Sequence, residues 1–140
     1  MSYIVHPIGK INITKDSCWI EVEDSYAKGL KDVEKFSHLI IVWWISMRDD
    51  LLSRSQLITT PPFLESIVET GVFACRSPHR PNPIGLTTVK VLNAEGNKIF
   101  IERIDALNET PIIDIKPYLP GDSVPVSDIK LPEWFEELRK

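Results

Sequence analysis

Apolar and polar positions alternate clearly near the start of the chain, where Cys18, Ile20 and Val22 take turns with Trp19, Glu21 and Glu23. This period-two pattern predicts a strand with one wet face. Tyr3 to Ile8 and Ile11 to Ile13 predict two earlier strands. Between Asp24 and Lys35, Leu30, Val33 and the following Phe36 fall at near-helical spacing, but Gly29 interrupts them and predicts a turn or short helix. Phe36 to Ser46 predicts the central strand: its apolar run from Leu39 to Ile45 is strand-sized and far too short for a membrane span. Arg48 to Leu57 predicts a helix, with Asp49 and Asp50 in the first turn, where carboxylates complement the helix dipole. Thr60-Pro61-Pro62 ends it, and Phe63 to Glu69 is expected to form a short helix or an irregular cover. Leu86 to Leu92 and Lys98 to Ile104 flank Ala94-Glu95-Gly96-Asn97, the pattern of a hairpin with glycine in its turn. A short strand is expected at Ile112 to Ile115, a loop at Pro117 to Pro125, and a closing helix after Pro132 that carries Trp134 and Phe135. Many short strands with irregular links predict a mainly β fold, barrel-like or sandwich, with a few short helices.

With 140 residues the expectation is a single domain, 1–140, large enough to form its own core. The net charge of −4 comes without any long run of like charge, so a nucleic-acid partner would have to be met by a local patch. Cys18 and Cys75 form no CxxC pair, which predicts free thiols and a cytoplasmic setting. His6 and His38 are not spaced with each other or with cysteine as metal ligands, and no metal is expected.

The chemistry concentrates in Gly71 to Leu86, Gly-Val-Phe-Ala-Cys-Arg-Ser-Pro-His-Arg-Pro-Asn-Pro-Ile-Gly-Leu, which predicts an apolar strand leading into a rigid cationic loop. Pro78, Pro81 and Pro83 restrict Ser77, Arg80 and Asn82 before any ligand arrives. Arg76 and Arg80 carry guanidinium forks suited to carboxylate or phosphate. Arg80 is equally suited to bracing its own loop through main-chain carbonyls. His79 is of a residue type that can serve as a general base, and is as readily a surface histidine. Asp114, between Ile113 and Ile115, needs a cation, to be supplied by Arg76, Arg80 or Lys116. No GxGxxG follows a strand, so a nucleotide-like cofactor would have to bind outside a Rossmann fold.

Phe36-Ser37-His38-Leu39, Gly71 to Leu86, and Thr110-Pro111-Ile112-Ile113-Asp114-Ile115-Lys116-Pro117-Tyr118-Leu119-Pro120 occur in that order and together closely resemble the TsaA-like (TrmO-type) family of tRNA methyltransferases. The resemblance implies a small single-sheet, non-Rossmann β-barrel that dimerises and binds S-adenosylmethionine. It further implies methylation of N6 of threonylcarbamoyladenosine beside the tRNA anticodon. Carried over by position, the cofactor contacts fall at Ser46, Met47, Arg76, Leu86, Arg103, Ile104 and Asp105. The resemblance places Ser77, His79, Arg80 and Asn82 at the acceptor, with His79, Arg80 and Asn82 as the catalytic set. Two alternatives accompany it: a small-molecule acceptor on the same fold, and a nonenzymatic S-adenosylmethionine sensor. Family members carry a further cofactor-contacting segment between the first two strands, for which Ile13 to Trp19 leaves little room.

Overall fold

The computed structural model describes residues 1–61 and 68–137, which gather into two compact units. The first comprises residues 1–47 and 84–118, the second residues 48–83 and 119–140. Most of the stretch expected as a short helix or cover after Pro62 lies outside the described residues.

The first unit is built from β1 (Gly9–Ile13), β2 (Cys18–Val22) and β3 (His38–Trp44). The second contributes a two-stranded ribbon, β4 (Ile58–Thr59) and β5 (Thr70–Gly71). The chain then returns to the first unit with β6 (Ile84–Glu95), β7 (Lys98–Ile101) and β8 (Pro111–Pro117). Six of these strands pair in the order β1-β2-β7-β6-β3-β8, and β1 meets β8 at Gly9 and Lys10, so the ring of antiparallel pairs closes into a barrel. Closure removes the free edges that an open sheet would present to other chains. The alternation of β2 is as expected: Cys18, Ile20 and Val22 are buried, while Trp19 and Glu21 are half-exposed. Ile11, Ile20, Leu39, Ile41, Ile99 and Ile112 are almost completely buried and fill the interior.

Three expectations change. Tyr3, Ile4 and Val5 form no strand and stand exposed. Before Gly9 the backbone is held at Ile8, whose amide donates to the Ile112 carbonyl at 2.8 Å and whose carbonyl accepts the Glu23 amide at 2.9 Å. The apolar Val72-Phe73-Ala74 is a single 3-10 turn after the short β5, not the body of a strand. Only Val72 of the three is buried, so the segment lacks the partner ladder that a strand would need. The helix expected from Arg48 to Leu57 contracts to α1 (Leu51–Arg54), capped by Asp50, which accepts the Ser53 amide at 2.8 Å. The predicted hairpin forms as β6 and β7, and Gly96 at φ 61 takes the left-handed turn position that favours glycine. The closing helix is α2 (Glu133–Glu137).

Candidate functional site

At one end of the barrel, β3 runs out into Ser46 and Met47, facing the loop from Asp105 to Thr110 across a cleft of about 280 Å3. Its shape begins with Gly85. A Cβ there would run into the Trp43 indole, so glycine lets that ring lie flat across the neighbouring strand, where Trp43 and Gly85 pair in register. The placement fixes a polar relay. Trp43 Nε1 donates to Thr87 Oγ1 at 3.1 Å, and the Thr87 hydroxyl donates onward to Asp105 Oδ1 at 2.6 Å. Asp105 is exposed yet held in one orientation. The opposite wall is equally fixed: the Ile13 amide donates to Asn108 Oδ1 at 2.7 Å, and the Glu109 amide donates to the Ile11 carbonyl at 2.8 Å. A cleft with two indoles and an oriented carboxylate suits a flat heterocycle bearing hydroxyl or amino donors.

The cofactor residues read from the sequence therefore fall in different surroundings. Ser46, Met47 and Asp105 line this cleft. Ile104 is a core residue, 6% exposed. Arg103 donates to the Thr14 carbonyl at 3.2 Å and lines a separate depression with Cys18. Burial pushes the Cys18 thiol up, an effect opposed by the Ile104 amide and the Arg103 charge. Leu86 lies half-exposed on β6. Thr87 is absent from the residues read from the sequence; its signal is its place two residues beyond Gly85, on the same face of a strand.

Arg76 belongs to the second unit. There the proline-rich loop is held by side chains bonded to the main chain. Arg54 donates from Nε to the Pro81 carbonyl at 2.8 Å and from Nη1 to Asp49 at 3.0 Å, and makes a long contact with Asn82 Oδ1 at 3.5 Å. Arg80 donates to the carbonyls of Cys75 and Ser77 at 3.3 and 3.1 Å, so of its two expected roles the structure displays bracing. The His79 amide donates to Ser77 Oγ at 3.2 Å. Arg54, missed as a site-forming residue, was hidden by its place in an expected surface helix.

Two groups escape this bracing. The Arg76 guanidinium is exposed and has no hydrogen bond or ion pair among the described residues. His79 Nδ1 is buried and has no partner among them. Arg76, Ser77 and His79 line a largely apolar cavity of about 700 Å3, whose other walls include Phe73, Trp134 and Phe135. Asp114, in the barrel unit, finds its cation in Lys116 at 2.9 Å. Among the described residues there is no cluster of three or more His, Cys, Asp or Glu arranged for a metal, and no helix long and apolar enough to cross a membrane. Cys18 and Cys75 are both free thiols.

Comparison with known proteins adds an independent line. The family model described as the tRNA-methyltransferase O N-terminal domain matches residues 5–123. A probable S-adenosyl-L-methionine-binding protein of Archaeoglobus fulgidus is 42% identical over 125 residues, 89% of this chain and 32% of the relative. A probable S-adenosyl-L-methionine-binding protein of Methanocaldococcus jannaschii is 40% identical over 114 residues, 81% of this chain and 90% of the relative. The crystal structure of TrmO from Pseudomonas aeruginosa superposes with a TM-score of 0.70 at 26% identity, covering 93% of this chain and 61% of that one. The chain thus spans about a third of the first relative's length and about three fifths of the solved structure's. With the family model matched across most of its length, the chain belongs to the tRNA-methyltransferase O N-terminal domain family.

Proposed function

We propose that this protein is an S-adenosylmethionine-dependent methyltransferase acting on N6 of adenine 37 of tRNA, with threonylcarbamoyladenosine as the acceptor. Family membership over residues 5–123 is the observation that carries the reading. A human relative, 42% identical over 90 residues, bears the name tRNA (adenine(37)-N6)-methyltransferase. Each unit holds residues suited to part of such a cofactor: in the loop unit Arg76, with no hydrogen bond or ion pair among the described residues, suits a carboxylate, and in the barrel unit Asp105 is an oriented acceptor beside two indoles. In the barrel unit Ser46, Met47 and Asp105 are the proposed cofactor residues, with Leu86, Arg103 and Ile104 contributing at most through the main chain. In the loop unit the proposed residue is Arg76. Bound there, the cofactor would supply an electrophilic methyl group on its sulfonium, with the neutral thioether as leaving group, and solvent water would take the proton released by the acceptor nitrogen. Ser77 and His79 position the acceptor, while Arg80 and Asn82 keep the loop in shape for them. The whole chain acting as one domain, a homodimer and a cytoplasmic location complete the proposal.

Titration calorimetry with S-adenosylmethionine and S-adenosylhomocysteine, followed by methyl transfer to tRNA transcripts with and without the threonylcarbamoyl group, tests the reading. Saturable binding of both and transfer to the modified tRNA are expected. Binding without transfer to any acceptor favours a nonenzymatic sensor, in keeping with the names of the archaeal relatives. Transfer only to small molecules favours the alternative compatible with a net charge of −4. Absence of binding by a folded protein ends the proposal.

A further inference from the structure

The geometry points to the apolar cavity of the second unit as the pocket for the acceptor base, with Trp134 and Phe73 as its stacking walls. This inference rests on the proposed methyl transfer to an RNA adenine and names the chain's own residues that receive it. The lining is the first argument. Three aromatic side chains border a space of about 700 Å3, within the range of small-ligand sites, and Trp134 meets Phe135 edge to face with ring centroids 5.9 Å apart. Phe73 is 76% exposed, so its ring is not part of the core and offers a face to an incoming ligand. A flat heterocycle gains most from such walls, because each nucleobase has a π-face and stacking tolerates its edge chemistry.

Charge is the second argument. Arg76 and Arg80 lie on the loop that forms the cavity, but Arg80 is bonded to the Cys75 and Ser77 carbonyls, whereas Arg76 has no hydrogen bond or ion pair among the described residues. Arg76 itself lines this cavity, so if it held the cofactor's carboxylate the cavity would adjoin the cofactor's amino-acid end, where an acceptor could be brought to the methyl group. The overall charge supplies the third argument. At −4 the chain offers little general attraction to phosphates, so an RNA acceptor must draw a larger share of its affinity from base contacts. A base of a single-stranded loop, swung out of its stack, meets this need.

The test uses an RNA hairpin with 2-aminopurine at the acceptor position, titrated with the full chain in the absence of cofactor. Stacking on an aromatic ring quenches its emission. The wild-type protein is expected to quench it. Trp134→Ala should lose the quench and bind the hairpin about tenfold more weakly, while Trp134→Phe keeps most of both. S-adenosylmethionine affinity by calorimetry should stay within twofold in all variants. Phe73→Ala, at an exposed position, repeats the test should Trp134→Ala disturb folding, as judged by circular dichroism. Undiminished quenching in Trp134→Ala and Phe73→Ala would overturn the inference. So would a parallel loss of S-adenosylmethionine binding, which would give the cavity to the cofactor. Failure of the wild-type protein to bind the hairpin, with cofactor binding intact, defeats this inference and leaves the cofactor assignment standing; failure to bind the cofactor defeats the proposed function instead.

Discussion

The barrel and the proline-rich loop solve the same problem, holding functional groups still, by different means. In the barrel, position comes from the ladder and the core: Trp43, Thr87 and Asp105 are aligned because the strands beneath them are locked by buried isoleucines. In the second unit the buried apolar side chains among the described residues are few, Val72, Pro61 and Pro83, and further order comes from arginines bonded to carbonyls. Polar residues that look catalytic in the sequence can therefore be structural in such a loop. In the barrel, buried carbon holds the strands, and rim residues such as Thr87, Asn108 and Arg103 add hydrogen bonds that tie the loops to them.

The largest expected effect lies in the barrel. Ile41→Ala should cost about 2–5 kcal/mol of stability in urea denaturation, since it empties part of a closed core. Phe73→Ala, exposed on the loop unit, should shift it by less than about 0.5 kcal/mol. Equal losses would mean that the two units share one core. Arg76→Ala should weaken S-adenosylmethionine binding by about 10- to 100-fold, the worth of a hydrogen-bonded charge, with the unfolding midpoint unchanged. A fall in the midpoint would make Arg76 a brace like Arg80. Thr87→Val breaks the relay and leaves the half-buried Trp43 N–H without its acceptor, at about 1–2 kcal/mol. Cofactor affinity should fall with it, because Asp105 is no longer held; unchanged affinity would remove Asp105 from the site.

The smallest effect concerns pH. The Ser53 amide and then the Ser53 hydroxyl hold the Asp50 carboxyl below its usual range, with weaker help from Arg48 and His79. A carboxyl depressed in the folded state contributes stability above the unfolded range and loses it as pH falls through its folded value. Asp50→Asn should therefore lower stability modestly near neutrality, leave it nearly unchanged in acid, and so flatten part of the acid limb of the stability curve. An unaltered acid limb would show that the cap is not formed in solution.

Sequence alone determined much of the barrel's walls and the restraint of the proline-rich loop. Alternation in β2, the apolar run of β3 and the glycine in the β6–β7 turn are local signals, readable because a strand's two faces and a left-handed turn make demands on single residues. Three prolines within six positions likewise made the loop's rigidity legible without any contact. The strands expected near Tyr3 and at Val72-Phe73-Ala74 failed because apolar residues alone do not make a ladder; a partner edge must be present. What only the tertiary structure decided is which polar groups are spent and which are spare. Arg76 and Arg80 are indistinguishable by type and lie four residues apart, yet Arg80 meets the Cys75 and Ser77 carbonyls while Arg76 stands free among the described residues. Thr87 became part of the site because Gly85 admits an indole from the neighbouring strand and Asp105 arrives from 18 residues further along. A hydrogen bond depends on distance and direction in space, and neither is written in the order of residues until the chain has closed on itself.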